Sequence, residues 1–125
     1  MIAVDTSSFV AFLAGEEGED VAFVTQAIEG ELLTLPPVVV AELLSARNLN
    51  GSVKDTILAL PRMEIISGYW QRVGEIRANI LADGKKANLA DSMIAVFCLD
   101  HEVSLITRDR DYRHFVDMSG LRLME

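Results

Sequence analysis

The stretch Met1-Ile2-Ala3-Val4-Asp5-Thr6-Ser7 decides how the rest of the chain is interpreted, because an apolar run, an acid and a helix cap follow one another directly. A short apolar run of this kind is typical of a strand buried in a sheet. Thr6 or Ser7 can then cap a helix that continues to about Ala14. A buried strand that leads straight into a helix indicates an α/β fold, with Asp5 at the carboxyl end of the strand.

The same alternation of short apolar strands with helices continues through the 125 residues. Strands are predicted at 2–5, 32–35, 63–66, 103–107 and 121–124. Helices are predicted at 6–14, 18–29, 37–48, 52–60, 69–82 and 88–101, with a helical turn at 111–115 and with Ser52 and Asn88 as caps. No repeat or linker interrupts this order. We therefore expect one domain over residues 1–125, a three-layer α/β/α sandwich with a mostly parallel central sheet.

Four acids stand where the neighbouring residues are apolar. Asp5 and Asp109 each follow a predicted strand, whereas Glu42 and Asp91 interrupt apolar segments of two helices. Sites in parallel α/β sheets form beyond the carboxyl ends of the strands, so Asp5 and Asp109 are expected at one edge. Helical spacing places Asp91 on the same face as the small Ala95. We expect Asp91 and Glu42 to point inward and to meet the two strand-end acids.

A shared cation is the simplest explanation for carboxylates among apolar residues, because burial of a carboxylate is costly unless the group is paired or hydrogen-bonded. Each acid also has a local explanation. Asp91 can complete a capping box with Asn88, Glu42 can pair with Arg47, and the two strand-end acids can form Asx turns. A single bound cation would account for all four acids at once. Crowded anions repel, so at least one of the four pKa values is expected to rise without a cation.

The ligand type favours Mg²⁺ or Mn²⁺, which prefer oxygen ligands and bind through a few carboxylates, water and phosphate. His101 and His114 lack the spacing of a zinc site. The glycine motifs that cradle nucleotide phosphates and the nucleophile elbow of serine hydrolases are both absent. The residues therefore favour a metal-dependent phosphoryl-transfer enzyme.

Four segments carry a family resemblance that covers nearly the whole chain. They are Val4-Asp5-Thr6-Ser7, Glu42-Leu43, Gly84 ahead of Ala90-Asp91-Ser92-Met93-Ile94-Ala95, and Leu105-Ile106-Thr107-Arg108-Asp109-Arg110-Asp111-Tyr112. In this order and spacing, the chain resembles the PIN-domain ribonucleases. Within them, it most resembles the VapC-type toxins of bacterial and archaeal toxin–antitoxin pairs.

The resemblance implies endonucleolytic cleavage of RNA that depends on Mg²⁺ or Mn²⁺. By this similarity the catalytic residues are Asp5, Glu42, Asp91 and Asp109, and the metal ligands among them are Asp5, Asp91 and Asp109. The accessory polar positions are Ser7, Thr107 and Asp111. Because Asp109 and Asp111 are both available after the last long strand, we expect Asp109 to be the closer ligand.

Charge is distributed unevenly along the chain, whose formal net charge is −8. Residues 1–46 hold eight acids and no Lys or Arg, while residues 47–125 hold the other eleven acids and all eleven bases. An acidic pair of helices with apolar stripes suits a basic amphipathic segment. We therefore expect a cognate antitoxin to dock on the first third. RNA is expected to approach over Lys85, Lys86, Arg108, Arg110 and Arg113.

Composition bounds the other partners and the location. Half of the residues are hydrophobic, which favours a surface buried against a partner and leads us to expect a homodimer. The longest apolar runs are too short to span a bilayer, so no membrane partner is expected. Cys98 is the only cysteine, which fits the reducing cytoplasm.

Alternative functions make different demands on the same residues. A phosphatase of the haloacid dehalogenase type needs a second Asp two residues after Asp5, where Ser7 stands. A phosphoacceptor signalling domain needs an acidic pair at the first strand and a lysine after the last, and neither is evident. A PIN-like domain that acts only as a non-catalytic binding partner is the remaining alternative, although the intact acidic quartet argues against it.

Overall fold

The computed structural model describes residues 1–125 as three strands and seven α-helices, with one 3-10 turn. The strands are β1 (Ile2–Val4), β2 (Leu33–Thr34) and β3 (Ser104–Ile106). The helices are α1 (Thr6–Leu13), α2 (Glu19–Glu29), α3 (Pro37–Leu44), α4 (Gly51–Ala59), α5 (Tyr69–Ala82), α6 (Leu89–His101) and α7 (Arg113–Ser119). The 3-10 turn covers Arg110–Tyr112, immediately before α7.

The opening strand β1 lies at the centre of a parallel sheet with the strand order β2-β1-β3. Ile2 pairs with Leu33 on one side and with Ser104 on the other. Ala3 and Val4 are fully buried, as expected for a parallel strand with both faces covered. The predicted α/β sandwich with a parallel central sheet is confirmed. Because the strands are parallel, the residues that follow β1 and β3 emerge at the same edge.

Two of the predicted strands are not strands in the structure. Residues 63–66 are irregular and lack a sheet partner, and the two isoleucines among them are exposed. Residues 121–124 form a single parallel bridge, between Leu105 and Leu123. Backbone hydrogen bonds of 2.9 and 2.8 Å, between Leu105 and the two residues that flank Leu123, hold this segment beside β3. An apolar run indicates a possible strand, but its periodicity alone does not show whether its backbone pairs with a sheet.

Several helix ends differ from the predicted ends by a few residues. Asn50, not Ser52, caps α4, since its side chain accepts a hydrogen bond of 2.7 Å from the backbone N–H of Ser52. The helix α3 ends at Leu44, before the predicted end at 48, and α7 continues to Ser119, beyond the predicted turn at 111–115. Asn50 and Ser52 were both candidates for the cap of α4, and α7 continues as far as its cap Gly120, where the left-handed backbone ends the helix.

A core of 26 buried hydrophobic residues fills the space between the sheet and the helices. The helices α5 and α6 pack against each other, and so do α1 and α2. Arg72 of α5 joins α6 through two hydrogen bonds to Asp100, of 2.9 and 2.6 Å. Every buried side-chain nitrogen and oxygen has a hydrogen-bond partner. None of the helices combines the length and the apolar character needed to cross a membrane.

Candidate active site

Asp5 lies directly after β1 and caps α1, and its side chain is held by several donors. The Asp5 residue is 7% exposed. Its Oδ2 accepts hydrogen bonds from Thr107 Oγ1 at 2.6 Å and from Ser7 Oγ at 3.2 Å. Its Oδ1 accepts the backbone N–H of Ser7 at 3.3 Å. Thr107 follows β3, so this contact joins the ends of two neighbouring strands.

The segment after β3 continues this network toward the last two acids. Thr107 Oγ1 accepts the backbone N–H of Asp109 at 3.0 Å, so the same hydroxyl serves Asp5 and Asp109. The carboxylate of Asp109 accepts the backbone N–H of Asp111 at 2.9 Å and caps the 3-10 turn. Asp109 is partly buried and Asp111 is exposed. The predicted Asx turns at Asp5 and Asp109 are therefore present, together with their position at the sheet edge.

Asp91 lies in the first turn of α6, which Asn88 caps by accepting the backbone N–H of Asp91 at 2.7 Å. The Asp91 carboxylate accepts a hydrogen bond of 3.1 Å from the hydroxyl of Tyr112. The pKa of Asp91 is raised to about 6, chiefly by burial and in addition by the negative charges of Asp5 and Asp109, while the hydrogen bond from Tyr112 lowers it. The expected rise in pKa is present at Asp91, but burial contributes more to it than the charges of the neighbouring acids do.

Glu42 occupies the rim of this group and not its interior. The residue is exposed on α3, so the predicted inward orientation is wrong for Glu42. Its Oε1 accepts a hydrogen bond of 2.9 Å from Thr6 Oγ1, next to Asp5 in the chain. Glu42 does not form the alternative salt bridge with Arg47. Glu42 is exposed because the buried face of α3 carries Val39, Val40 and Leu43 instead.

The carboxylates are gathered at one edge without forming a closed ligand cage. No group of three or more His, Cys, Asp or Glu side chains is close enough together to hold a metal ion. The charges of Asp5 and Asp109 nevertheless act on Asp91. The arrangement is thus one of neighbouring oxygen donors, each fixed by its own hydrogen bonds, with space left between them.

Two open grooves flank these acids. One groove, of about 370 Å³, is lined by Leu81, Lys85, Lys86, Ala87, Asn88, Asp91 and Asp111. The other, of about 490 Å³, is lined by Glu19, Asp20, Phe23, Thr107, Arg108, Asp109, Arg110, Arg113, Leu123, Met124 and Glu125. All five bases predicted at the RNA approach therefore lie in one groove or the other, beside an acid of the quartet.

The bases of the two grooves differ in their ion pairs. Arg108 donates to Asp20 at 2.7 and 3.2 Å and also reaches Glu16 at 3.5 Å. The hydrogen bond from Arg108 is the main reason that the pKa of Asp20 is lowered. Arg113 pairs with Glu125 at 2.9 Å. No salt bridge involves either lysine of the smaller groove, or Arg110.

Three residues make contacts at the site that were not predicted from the sequence. Thr6 bonds to Glu42, Asp20 holds Arg108, and Tyr112 bonds to Asp91. Burial raises the pKa of Tyr112, so its hydroxyl stays protonated and donates. Thr6 could have been found as a polar neighbour of Asp5. No local pattern indicates the other two contacts, because their partners are 88 and 21 residues away in the chain.

The family model that matches this chain is the PIN domain, over residues 2–117. The chain therefore belongs to the PIN-domain family. No match was found among curated protein sequences.

Two solved structures share the fold over nearly their full lengths. One is that of VapBC2 from Rickettsia felis bound to a DNA fragment from its promoter. It has a TM-score of 0.75 and 17% sequence identity, over 99% of this chain and 98% of that chain. The other is FitAcB from Neisseria gonorrhoeae, with a TM-score of 0.72 and 24% identity, over 100% of this chain and 97% of that chain. At these identities the likeness establishes the fold.

Proposed function

We propose that this chain is a Mg²⁺- or Mn²⁺-dependent endoribonuclease that hydrolyses RNA phosphodiester bonds as the toxin of a toxin–antitoxin pair. The observation that carries the proposal is the placement of Asp5, Asp109 and Asp91 at the carboxyl edge of the parallel sheet, where one hydroxyl, that of Thr107, joins Asp5 to Asp109 and where both acids act on the partly buried Asp91. The charged form of a carboxylate is destabilised by two other carboxylates nearby unless a bound cation compensates their charges. Membership of the PIN-domain family supports the same conclusion. We assign residues 1–125 to one nuclease domain.

The donor set fits a hard divalent ion. The candidate ligands at the edge and the hydroxyls that orient them offer only oxygen, and Mg²⁺ binds through one or two carboxylates plus water and substrate phosphate. A set of fixed, separated carboxylates suits this open coordination better than a closed cage would. Asp5, Asp91 and Asp109 are the candidate ligands. Because no three acids are close enough together to bind one ion directly, the ion would bind one or two of them directly and the rest through water. When bound, it supplies acidification of water and neutralisation of charge at a phosphate.

The residues around the ion orient its ligands and transfer protons. Ser7 and Thr107 orient the carboxylate of Asp5, and the backbone N–H of Asp111 orients that of Asp109. These contacts fix the donors before a substrate arrives. Glu42 stands at the exposed rim with its Oε1 bonded to Thr6. We assign Glu42 to proton transfer with solvent and not to metal binding.

Substrate RNA enters, in this proposal, over the groove that contains Lys85 and Lys86. Their ammonium groups are free of salt bridges, and the groove also contains Asp91. Arg110 adds a further unpaired charge in the other groove. Arg108 and Arg113 are engaged with acids of the protein and contribute less to RNA binding. Phosphate neutralisation by unpaired bases is the general source of affinity for nucleic acids.

The protein partners follow from charge and from the shared fold. The first third of the chain bears eight acids and no Lys or Arg, and a basic antitoxin segment would complement it. Two structures with the same fold, those of VapBC2 and FitAcB, support an antitoxin partner. We further propose a homodimer, covering part of the exposed apolar surface, and a cytoplasmic location.

Cleavage of RNA by the Asp91→Asn variant tests the proposal. Asn keeps the size of Asp and an acceptor for Tyr112 but removes the charge, so the variant should fold and lose activity by on the order of 10²-fold or more. The matched control is Asp55→Asn, an exposed residue of α4, which should cleave like the wild type. Activity that survives Asp91→Asn, or that persists in a chelator, would contradict the proposed site. A wild-type protein that binds an antitoxin but never cleaves RNA would favour the non-catalytic alternative.

A further inference from the structure

Tyr112 connects the hydrophobic core to the candidate active site. The residue is 0% exposed and is among the largest fully buried side chains. Its ring lies 5.7 Å from that of Phe115, measured between ring centroids. Its hydroxyl donates a hydrogen bond to Asp91 Oδ1 at 3.1 Å. A rigid aromatic ring thus presents one donor to one carboxylate.

The hydroxyl explains why a tyrosine occupies this place. Packing of the ring needs no oxygen, and a buried phenol requires a hydrogen-bond partner. Asp91 is in turn fixed at its backbone by Asn88. With the ring held in the core, the hydroxyl constrains the rotation of the Asp91 carboxylate. A carboxylate has about four acceptor positions, so one donor leaves the capacity to bind a cation.

Comparison with Asp5 shows the same construction. Asp5 Oδ2 is held by the hydroxyls of Thr107 and Ser7, and Asp91 is held by that of Tyr112. Ser7 and Thr107 are accessory residues by the family resemblance, whereas Tyr112 has no role assigned by it. Each of the two carboxylates thus has hydroxyl support from another part of the chain or from a neighbouring turn.

We propose that Tyr112 is a positioning residue for divalent-ion binding: its hydroxyl holds the Asp91 carboxylate in the orientation in which it binds the ion. The inference rests on the proposed metal site and adds a residue to its outer shell. Outer-shell partners of metal ligands typically affect metal affinity about 10- to 100-fold. Tyr112 should therefore act on metal affinity, and on cleavage only through it.

The chain offers a matched control in Tyr69, its only other tyrosine. Tyr69 is also buried, and its hydroxyl donates at 2.7 Å to the backbone carbonyl of Met93, which lies on α6 as Asp91 does. Tyr112→Phe and Tyr69→Phe each delete one buried hydroxyl that bonds to α6. Loss of a structural hydrogen bond is common to both variants, while contact with a carboxylate of the site belongs to Tyr112 alone.

The first experiment measures Mn²⁺ dissociation constants of the full chain by calorimetry. Tyr112→Phe should bind Mn²⁺ about 10-fold more weakly than the wild type, and Tyr69→Phe should bind it with wild-type affinity. Raising the Mn²⁺ concentration should restore RNA cleavage by Tyr112→Phe, which a purely structural defect would not allow. Equal or tighter Mn²⁺ binding by Tyr112→Phe would overturn the inference alone. Failure of the wild type to bind Mn²⁺ better than Asp91→Asn would overturn the proposed metal site as well.

A second measurement tests the role of the Tyr112 hydroxyl even if Tyr112→Phe folds poorly. In Tyr69→Phe, Tyr112 is the only tyrosine, so labelling of tyrosine Cζ with ¹³C gives one resonance. Titration with diamagnetic Mg²⁺ should shift this resonance with the same midpoint as Mg²⁺ binding by calorimetry. A resonance that does not move at saturating Mg²⁺ would contradict a role for the hydroxyl beside the ion.

Discussion

The Asp5 side and the Asp91 side of the candidate site lie at one edge of the sheet, yet their charges are compensated to different degrees. On the Asp5 side, Thr107 and Ser7 donate to the carboxylate, and the neighbouring Arg108 is paired with Asp20. On the Asp91 side, burial raises the pKa of the acid to about 6. The two lysines of the groove beside Asp91 have no salt-bridge partner.

The two sides show that a charged residue at a site can either stabilise the fold or remain uncompensated until a ligand binds. The Asp5 side is satisfied within the protein, so its groups stabilise the fold and hold the ends of β1 and β3 in register. The Asp91 side leaves charge uncompensated, so its groups lower stability until a ligand binds. Substitutions that remove charge should therefore have opposite effects on the two sides.

The largest contrast is expected in the stability of the metal-free protein. Asp5→Asn places an amide N–H₂ opposite hydroxyl donors and should lower the free energy of unfolding by about 1–2 kcal/mol. Asp91→Asn removes a partly desolvated charge and should raise it by about 1 kcal/mol, a figure reduced for solvent screening. Denaturant unfolding in the presence of a chelator measures both values.

Asp55→Asn serves as the control for this comparison, since an exposed substitution away from special features changes stability by less than about 0.5 kcal/mol. The contrast between the two sides would be wrong if Asp5→Asn and Asp91→Asn changed the free energy of unfolding in the same direction.

The next contrast concerns pH. The pKa of Asp91 is raised from 3.8 to about 6 in the folded chain, so between these values the folded state keeps a proton that the unfolded state has lost. Stability from this group therefore falls as pH rises through that window and is constant above it. We expect the wild type to lose about 1 kcal/mol relative to Asp91→Asn between about pH 4 and pH 6.5, after allowance for screening.

Melting curves of both proteins in a chelator, collected across this pH range, give the difference directly. Subtraction of the Asp91→Asn curve removes the titration of the acids that do not interact with Asp91. A difference that stays constant with pH would mean that Asp91 titrates normally and that the Asp91 side is as well compensated as the Asp5 side.

The smallest effect is expected in RNA binding. Lys86→Gln removes an unpaired charge from the groove and should reduce the slope of log affinity against log salt by about 0.7, the value for one phosphate contact of a single strand. Arg108→Gln removes a charge that Asp20 already engages, so its effect on the slope should be smaller. Fluorescence anisotropy with a labelled RNA, in the non-cleaving Asp91→Asn background, measures both slopes. An equal or larger change for Arg108→Gln would show that its ion pair opens for RNA.

Much of this architecture could be predicted from short-range patterns. The apolar opening residues predicted β1, and Asn88 predicted the start of α6, because the groups that decide these features are close together in the chain. The position of Asp5 and Asp109 after parallel strands followed from the same patterns. Residues 63–66 do not form a strand although their composition suits one, because a strand also requires backbone pairing with a sheet edge and this segment has none.

The sequence by itself determined the parallel α/β order and the presence of acids at the ends of its strands, because apolar periodicity and helix capping act within a few residues. Only the tertiary structure decided which charges are compensated. Arg108 meets Asp20 across 88 residues of chain, and Tyr112 meets Asp91 across 21. Such contacts depend on the packing of whole elements, which brings together side chains that no local spacing relates.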